Sequence, residues 1–406
     1  MIHTRRAVAT IALAMTPSFV LAQRQKEPQR PKLPAGADTN SARVYFGFAL
    51  QELRRDPEKA ANALYWATRL EPTFADAFYA RRVALLLSDM PRLRRYWSGD
   101  RRTVQSDEIR RIDSLYYFAL TINPFVSQRL DHELYEAIAD DIARRYSDAG
   151  VATASEVRYA IDREMQSAPA AMRAEIAYGE GDDARALSLY ADAVKSDKKN
   201  SPLRIDRARI FYNRNQPDSS LAELNAAVED LRTRDKKELV YVYQSKAIAE
   251  QSLGVLHQRL GHRDQARDAF GRALQEDLSF YPAHVQLGFM ALEARDTTTA
   301  LAEMDLATQL RPDDAAAQYT YGFTLAAVGH LPDAEVHLRK AIELNPVFAA
   351  PHFSLGEVLE ATMKVKEALA EYQSFLAHAP QTDPRREDAE QRAAILASAI
   401  KSGSDR

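Results

Sequence analysis

The amino-acid sequence predicts an all-α protein made of antiparallel helix pairs that stack one after another along the chain. Three observations lead to this fold class. Short apolar patterns recur every 34 residues in the C-terminal part of the chain. Glycine is scarce, with 14 in 406 residues, while the abundant Ala, Leu, Glu and Arg favour helices. No segment alternates apolar and polar residues with a period of two beside a hairpin signal, so essentially no sheet is expected.

Five columns of residues share the 34-residue step. They are Gly254, Gly288, Gly322 and Gly356; Ala266, Ala300, Ala334 and Ala368; Phe270, Met304, Leu338 and Tyr372; Ala273, Ala307 and Ala341, with Phe375 as the fourth member; and Pro312, Pro346 and Pro380. A glycine inside the first helix of a pair lets the second helix approach closely, which must outweigh a helix cost of about 1 kcal/mol. The alanine, large apolar and alanine columns form one stripe on the second helix. Proline separates the pairs because it cannot continue a helix.

The N-terminus has the three parts of a secretory signal peptide, expected over residues 1–22. Arg5 and Arg6 precede a short apolar stretch, and Ala22 offers a small-residue cleavage site before Gln23. The sequence therefore predicts an exported protein, either periplasmic or secreted. The two arginines also match part of a twin-arginine signal, but the match is partial, so the general secretory route is the default expectation. An uncleaved anchor is the alternative, although the apolar stretch is short for a bilayer.

The remaining chain divides into segments by composition and register. The predicted segments are a flexible Pro- and Gln-rich linker at 23–40, a degenerate repeat-like helical region at 41–246, four tandem repeats at 247–380, and a capping helix with its tail at 381–406. The register is broken between residues 73 and 165, where degenerate or elongated helices are expected. A lengthened first helix is expected from about Lys236 to Leu260, and Asp383 and Pro384 predict the start of the capping helix.

Composition excludes several classes of function. The formal net charge is −3, so the chain has no overall positive field that would attract nucleic acid. Cysteine is absent, which excludes disulfides, thiolate metal sites and cysteine nucleophiles. A phosphate loop, a nucleophile elbow and a dinucleotide fingerprint are also missing. His132 and Glu133 begin a zinc motif, but Glu136 stands where the second histidine should be. No catalytic residue, metal or cofactor is predicted.

The pattern over residues 247–380 resembles the tetratricopeptide repeat (TPR) family. The resemblance implies a right-handed superhelical solenoid of antiparallel helix pairs, whose first helices line a concave groove for a protein or peptide partner. By this analogy, the residues three before and one after each glycine face the groove. They are Gln251 and Val255, Val285 and Phe289, Tyr319 and Phe323, and Phe353 and Glu357.

Four of these groove positions are aromatic and fall in three consecutive repeats. An exposed apolar strip marks an interaction site, and each ring buried by a partner would contribute on the order of 1.5–3 kcal/mol before ordering costs. The alternative is that the rings pack between neighbouring first helices and expose only their edges. TPR domains that clamp acidic chaperone tails use Lys, Asn and Arg in the groove. This chain has Gln251, Val255, Gln286, Ala316 and Thr320 at the matching positions, so an apolar or mixed peptide is expected.

A cluster of arginines lies within the irregular stretch. Its members are Arg92, Arg94, Arg95, Arg101 and Arg102, with Tyr96 and Trp97 among them. They would form a patch for an anion or an acidic partner. The alternative is a set of solvated helix faces paired with nearby acids.

The function predicted from the sequence is an exported scaffold that binds a protein or peptide segment in its groove. We expect neither nucleic acid as a partner nor a transmembrane segment in the mature chain. Two other functions stay open at this point. One is a structural subunit of a cell-envelope assembly, and the other is an enzyme whose site lies in residues 73–165.

Overall fold

The computed structural model describes residues 27–197, 200–235 and 243–404, and these residues form 21 helices and no strand. The prediction of an all-α protein built of successive helix pairs is therefore confirmed. Within the described residues, no helix combines the length and the apolar character needed to cross a bilayer. The predicted signal peptide, residues 1–22, lies outside the described residues.

Helices α1–α12 are Ala42–Glu52, Pro57–Leu70, Ala75–Leu87, Met90–Trp97, Arg101–Val104, Asp107–Ile122, Asp131–Asp148, Ala154–Gln166, Ala170–Gly179, Asp183–Ser196, Ser201–Asn213 and Pro217–Asp235. Helices α13–α21 are Tyr243–Arg259, Arg263–Glu276, Tyr281–Glu293, Thr297–Leu310, Ala315–Ala327, Leu331–Leu344, Ala349–Ala361, Val365–His378 and Arg386–Ser404. Residues 236–242, the start of the lengthened helix expected up to Leu260, lie outside the described residues, and α13 ends at Arg259.

The described residues belong to two compact units. Unit 1 comprises Gln51–Ala61 and the described part of Phe78–Asp277. Unit 2 comprises residues 27–50, Asn62–Ala77 and residues 278–404. Each unit therefore combines a short stretch from the N-terminal helices with a longer stretch of the chain.

Unit 1 contains the irregular region. Its helices α4–α8 range from 4 to 18 residues, and a polar network joins α3, α4, α6 and α7. At its centre the Arg82 guanidinium pairs with Asp113 at 3.0 Å and with Asp131 at 3.2 Å, and it donates to the Tyr96 hydroxyl at 3.0 Å. A buried guanidinium needs such partners because an unpaired buried charge is strongly destabilising.

Unit 2 contains three regular pairs, α15–α16, α17–α18 and α19–α20, each with helices of 13 and 14 residues. The glycine of each first helix lies against the second helix. A Cβ added at Gly322 would lie 2.9 Å from Cγ and 3.1 Å from the backbone nitrogen of Leu338. A Cβ added at Gly356 would lie 2.8 Å from Cε1 of Tyr372. The close approach that the glycine column predicts is therefore present in the structure.

The turn inside each pair needs a left-handed residue. Gly261, between α13 and α14, has a φ of 76°, and Gly329, between α17 and α18, has a φ of 87°. The corresponding positions of the two other pairs hold Arg295 at 62° and Met363 at 61°. Because side chains disfavour this region, glycine is the easier residue there, but the turn does not require it.

The N-terminal part of unit 2 contacts the C-terminal repeats. The Asn40 side chain donates to the carbonyl of Ala377 at 2.7 Å, and the backbone nitrogen of Gln381 donates to Asp38 at 2.7 Å. The Asn345 side chain donates to the carbonyl of Arg69 at 2.7 Å. Residues 27–40 form no helix or strand, yet Asp38 and Asn40 make the first two of these contacts. The flexibility expected for 23–40 stays a prediction.

Helix α21 packs against α20 and buries Ala389 and Leu396. It begins at Arg386, after the carboxylate of Asp383 accepts a hydrogen bond from the Arg385 backbone nitrogen at 2.9 Å. A polar outer face on the terminal helix is what the end of a repeat array requires.

Candidate functional site

The candidate site is the face formed by the first helices of unit 2, α15, α17 and α19. A polar clamp sets the rotation of each of these helices. His284 on α15 bridges Glu303 on α16, at 2.6 Å, and the carbonyl of Leu278 before the pair, at 3.2 Å. His352 makes the same two contacts, at 2.6 and 3.2 Å, with Glu371 and Pro346.

The middle pair keeps this clamp with exchanged residues. Gln318 stands at the histidine position and donates to the carbonyl of Pro312 at 2.9 Å. Its amide oxygen lies 2.8 Å from Nδ1 of His337, which stands at the glutamate position. Burial lowers the pKa of His337, whereas the hydrogen bond with Glu303 raises the pKa of His284. The folded structure therefore favours the protonated form of His284 and disfavours the protonated form of His337.

The column three residues before each glycine turns toward the protein interior. Val285 and Tyr319 are half-buried, and Phe353 is 7% exposed. The Phe353 ring packs against Phe375, with 5.1 Å between ring centroids. The Arg385 guanidinium lies over Phe353 at 5.6 Å. The expected exposure of a ring at Phe353 is therefore not observed, because this residue packs between helices and lies under Arg385.

The column one residue after each glycine is exposed at its two phenylalanines. Phe289 is 36% exposed, Phe323 is 41% exposed and Glu357 is half-buried. The two alternatives left open by the sequence thus divide between the two columns: the first packs between helices, while the second presents its rings.

A depression of about 230 Å³ lies between α17 and α19. Its lining residues are Phe323, Ala326, Ala327, Leu331, Ser354, Glu357 and Val358. All but two of these side chains are apolar, and the two polar ones, Ser354 and Glu357, are both on α19. Sites for organic groups typically combine an apolar lining with a few polar groups, and this depression has that composition on a small scale.

The first repeat, in unit 1, lacks this open face. Gln251 is 1% exposed, and its side-chain nitrogen donates to the carbonyl of Thr121 on α6 at 2.9 Å. Val255 is half-buried and packs against an apolar cluster that includes Phe125. The side chain of Gln251 therefore binds α6 and does not line an open face. No periodic signal predicts this contact, because α6 lies outside the 34-residue register.

The arginine cluster is only partly neutralised. Arg92 pairs with Glu108, and Arg94 pairs with Asp141 at 3.0 Å. Arg95, Arg101 and Arg102 are exposed, and no ion pair is found for them within the described residues. Arg92 and Arg94 are thus paired with nearby acids, as the alternative interpretation expects. For Arg95, Arg101 and Arg102, a patch for an anion or an acidic partner stays a prediction.

The irregular region also holds the acids and the histidine that an enzymatic site would use. His132 lies 3.9 Å from Glu136, and Arg158 pairs with Glu136 and with Asp140, both at 3.1 Å. Among the described residues, no group of three or more His, Asp or Glu side chains is placed to hold a metal ion.

Sequence reasoning missed three residues that shape the site. Arg385 covers Phe353, and Arg392 and Asp388 on α21 lie at the glutamate end of the depression. The capping-helix prediction places these residues at the end of the array. Their position against α19 has no periodic signal, since α21 occurs once.

Comparison with known proteins identifies the repeats. The tetratricopeptide repeat family model matches residues 252–319 and 324–384, so the chain carries TPR repeats there. Among curated proteins, Protein O-mannosyl-transferase Tmtc1 of Drosophila melanogaster is 33% identical over 127 residues. The match covers 29% of this chain and spans 14% of the length of that relative.

Three solved structures resemble part of this chain, at low sequence identity and low TM-scores. YrrB, described as a TPR protein with an unusual peptide-binding site, is 20% identical, with 52% of this chain and 97% of YrrB covered and a TM-score of 0.39. PilW, described as a type IV pilus biogenesis factor, is 20% identical, with 51% and 91% covered and a TM-score of 0.41. MamA from Desulfovibrio magneticus RS-1 is 20% identical, with 44% and 93% covered and a TM-score of 0.36. The repeats and the helix pairs support a protein-interaction scaffold of the TPR type.

Proposed function

We propose that this chain is an exported scaffold that binds a protein or peptide segment along the first-helix face of unit 2. The observation that carries the proposal is the pair of exposed rings, Phe289 and Phe323, at the same position of consecutive repeats. The depression beside Phe323 offers a place for one apolar side chain of the partner. Val285 and Tyr319 border the two rings and supply further half-buried surface.

The exposed fractions of Phe289 and Phe323 determine how much each ring can contribute to the free energy of binding. A phenylalanine side chain buries on the order of 200 Å², and about two fifths of it is open at Phe289 and Phe323. At about 25 cal/mol per Å², covering this surface contributes about 2 kcal/mol per ring before ordering costs. The two rings together would account for a 10- to 100-fold change in affinity once about half of that gain is lost to ordering.

The test is selection of binding peptides from a random 12-residue library against residues 23–406. Peptides should bind the wild-type chain and lose about 10- to 100-fold in affinity for the Phe289→Ala/Phe323→Ala variant. Leu306→Ala/Val336→Ala is the matched control, because these exposed apolar side chains lie on the second helices of the same repeats. Equal loss in both variants, or no selected peptide at all, would reject the face as the binding site.

Export is the second part of the proposal. Its support is the signal-like arrangement of Arg5 and Arg6, a short apolar stretch, and Ala22 before Gln23. Expression of the full chain in an envelope-containing host, followed by mass spectrometry of the N-terminus, tests it. Export predicts a mature chain that begins at Gln23; an intact N-terminus in the cytoplasmic fraction contradicts it.

A further inference from the structure

The column of residues after the repeat glycines changes character at its last member. It reads Val255, Phe289, Phe323 and Glu357, so an ionisable group replaces an apolar one only in the fourth repeat. Glu357 lines the same depression as Phe323. A segment that follows this face therefore meets apolar rings first and a carboxylate at the α19 end.

Glu357 belongs to a group with an excess of negative charge. Arg392 on α21 is shared by three carboxylates: Asp388 at 2.9 Å, Glu360 at 3.1 Å and Glu357 at 4.0 Å. Three carboxylates and one guanidinium leave a net charge of −2. Of the three, Glu357 has the longest contact, so its carboxylate is the one most available to a further cation.

The other charged group near Glu357 is already engaged. Arg385, in the turn before α21, opposes the raised pKa of Glu357. Its side chain, however, donates two hydrogen bonds to Asp383, at 3.0 Å from Nε and at 2.8 Å from Nη2. The Tyr372 hydroxyl donates to Glu360 at 2.9 Å, which gives that acid a second partner. Glu357 lacks an equivalent close donor among the described residues.

We propose that the partner of this face is a segment in which an apolar side chain enters the depression and a neighbouring Lys or Arg pairs with Glu357. The proposal rests on the peptide-binding function proposed above and specifies its ligand. Complementary charge of this kind fixes the register of a bound segment more than it adds affinity. An extended segment advances by about 3.3–3.6 Å per residue, so both contacts fit within a few residues.

The protonation of Glu357 gives the interaction a pH dependence. Burial raises the pKa of Glu357, the like charges of Asp388 and Glu360 raise it further, and Arg392 and Arg385 oppose the shift. The carboxylate is therefore neutralised at a higher pH than an ordinary glutamate. Affinity for a cationic segment should fall as the pH drops through this raised value.

The test uses the 12-residue peptides that were selected against residues 23–406 in the experiment described above. Among sequences that depend on Phe289 and Phe323, we expect Lys or Arg beside an apolar residue. Replacing that basic residue with Gln should weaken binding by about 10-fold, and Glu357→Gln should abolish most of this difference. Glu357→Lys should favour Asp or Glu at the same peptide position.

Glu390→Gln is the matched control, because Glu390 is an exposed carboxylate on α21 that pairs only distantly with Arg386. It should leave the 10-fold discrimination intact. Groove-dependent peptides without a basic preference, or discrimination that survives Glu357→Gln, would overturn the charge assignment and leave the scaffold function standing. Absence of any groove-dependent peptide would instead reject the proposed function itself.

Discussion

The effect of a Gly→Ala substitution on stability depends on what surrounds the glycine in the structure. Gly322 and Gly271 both lie inside helices, on α17 and α14. On helix propensity alone, Ala at either position should stabilise the protein by about 0.5–1 kcal/mol. A Cβ at Gly271 meets no atom within 4 Å, so Gly271→Ala should show this gain.

At Gly322 the same substitution meets a packed helix. The added Cβ would lie 2.9 Å from Leu338 Cγ and 3.1 Å from the Leu338 backbone nitrogen. Leu338 is fully buried, and a backbone atom moves only if α18 moves with it. Overpacking of this kind costs about 1–3 kcal/mol, so after the propensity gain we expect Gly322→Ala to destabilise by about 1–2 kcal/mol.

The assay is urea unfolding followed by far-UV circular dichroism, with amide hydrogen exchange read separately in α14 and in α17–α18. Local exchange matters because repeat arrays unfold in parts and do not always follow a two-state transition. The two alanine variants should differ in sign. If Gly322→Ala stabilised α17–α18 as much as Gly271→Ala stabilises α14, the close approach would not be what selects glycine in this column.

Two further perturbations test the contacts around the site. The pKa of His284 is raised by its hydrogen bond with Glu303, so the stability it contributes is present below the ordinary histidine pKa of about 6.5 and is lost as the pH rises through the raised value. His284→Gln should flatten this dependence in unfolding measured across that range; an unchanged pH profile would contradict the assignment. Asn345→Ala removes the hydrogen bond to the Arg69 carbonyl and should cost about 1 kcal/mol. Faster amide exchange at the C-terminal end of α2 would show the loss, and unchanged exchange there would argue against this contact.

The fold was predictable wherever a residue's partners recur at a fixed spacing. Ala334, Leu338 and Ala341 form the expected stripe on α18, and all three are fully buried. The glycine column was predictable for the same reason. Contacts made once leave no such signal: the side chain of Asn40 and the carbonyl of Ala377 are 337 residues apart in the chain.

The candidate site was predictable in position and only partly in composition. The glycine spacing selects the two columns, but it treats all repeats alike. Within one column, Phe353 is 7% exposed whereas Val285 is half-buried, because in the last repeat Arg385 lies over the Phe353 ring. Gln251 differs because α6 supplies the Thr121 carbonyl. End effects of this kind depend on neighbours outside the repeat.

The polar clamps explain why the open column faces solvent at all. His284, Gln318 and His352 stand four residues before the repeat glycines, so the residue after each glycine lies five positions further along the helix. At 3.6 residues per turn, five positions correspond to about 140° around the helix axis. A clamp that fixes one side of the first helix to the preceding turn and to the second helix therefore directs Phe289 and Phe323 away from the packed side. The exchange of His and Glu for Gln and His in the middle pair keeps this linkage with a different set of donors and acceptors. The clamp thus fixes the rotation of each first helix, and the exposure of Phe289 and Phe323 depends on that rotation.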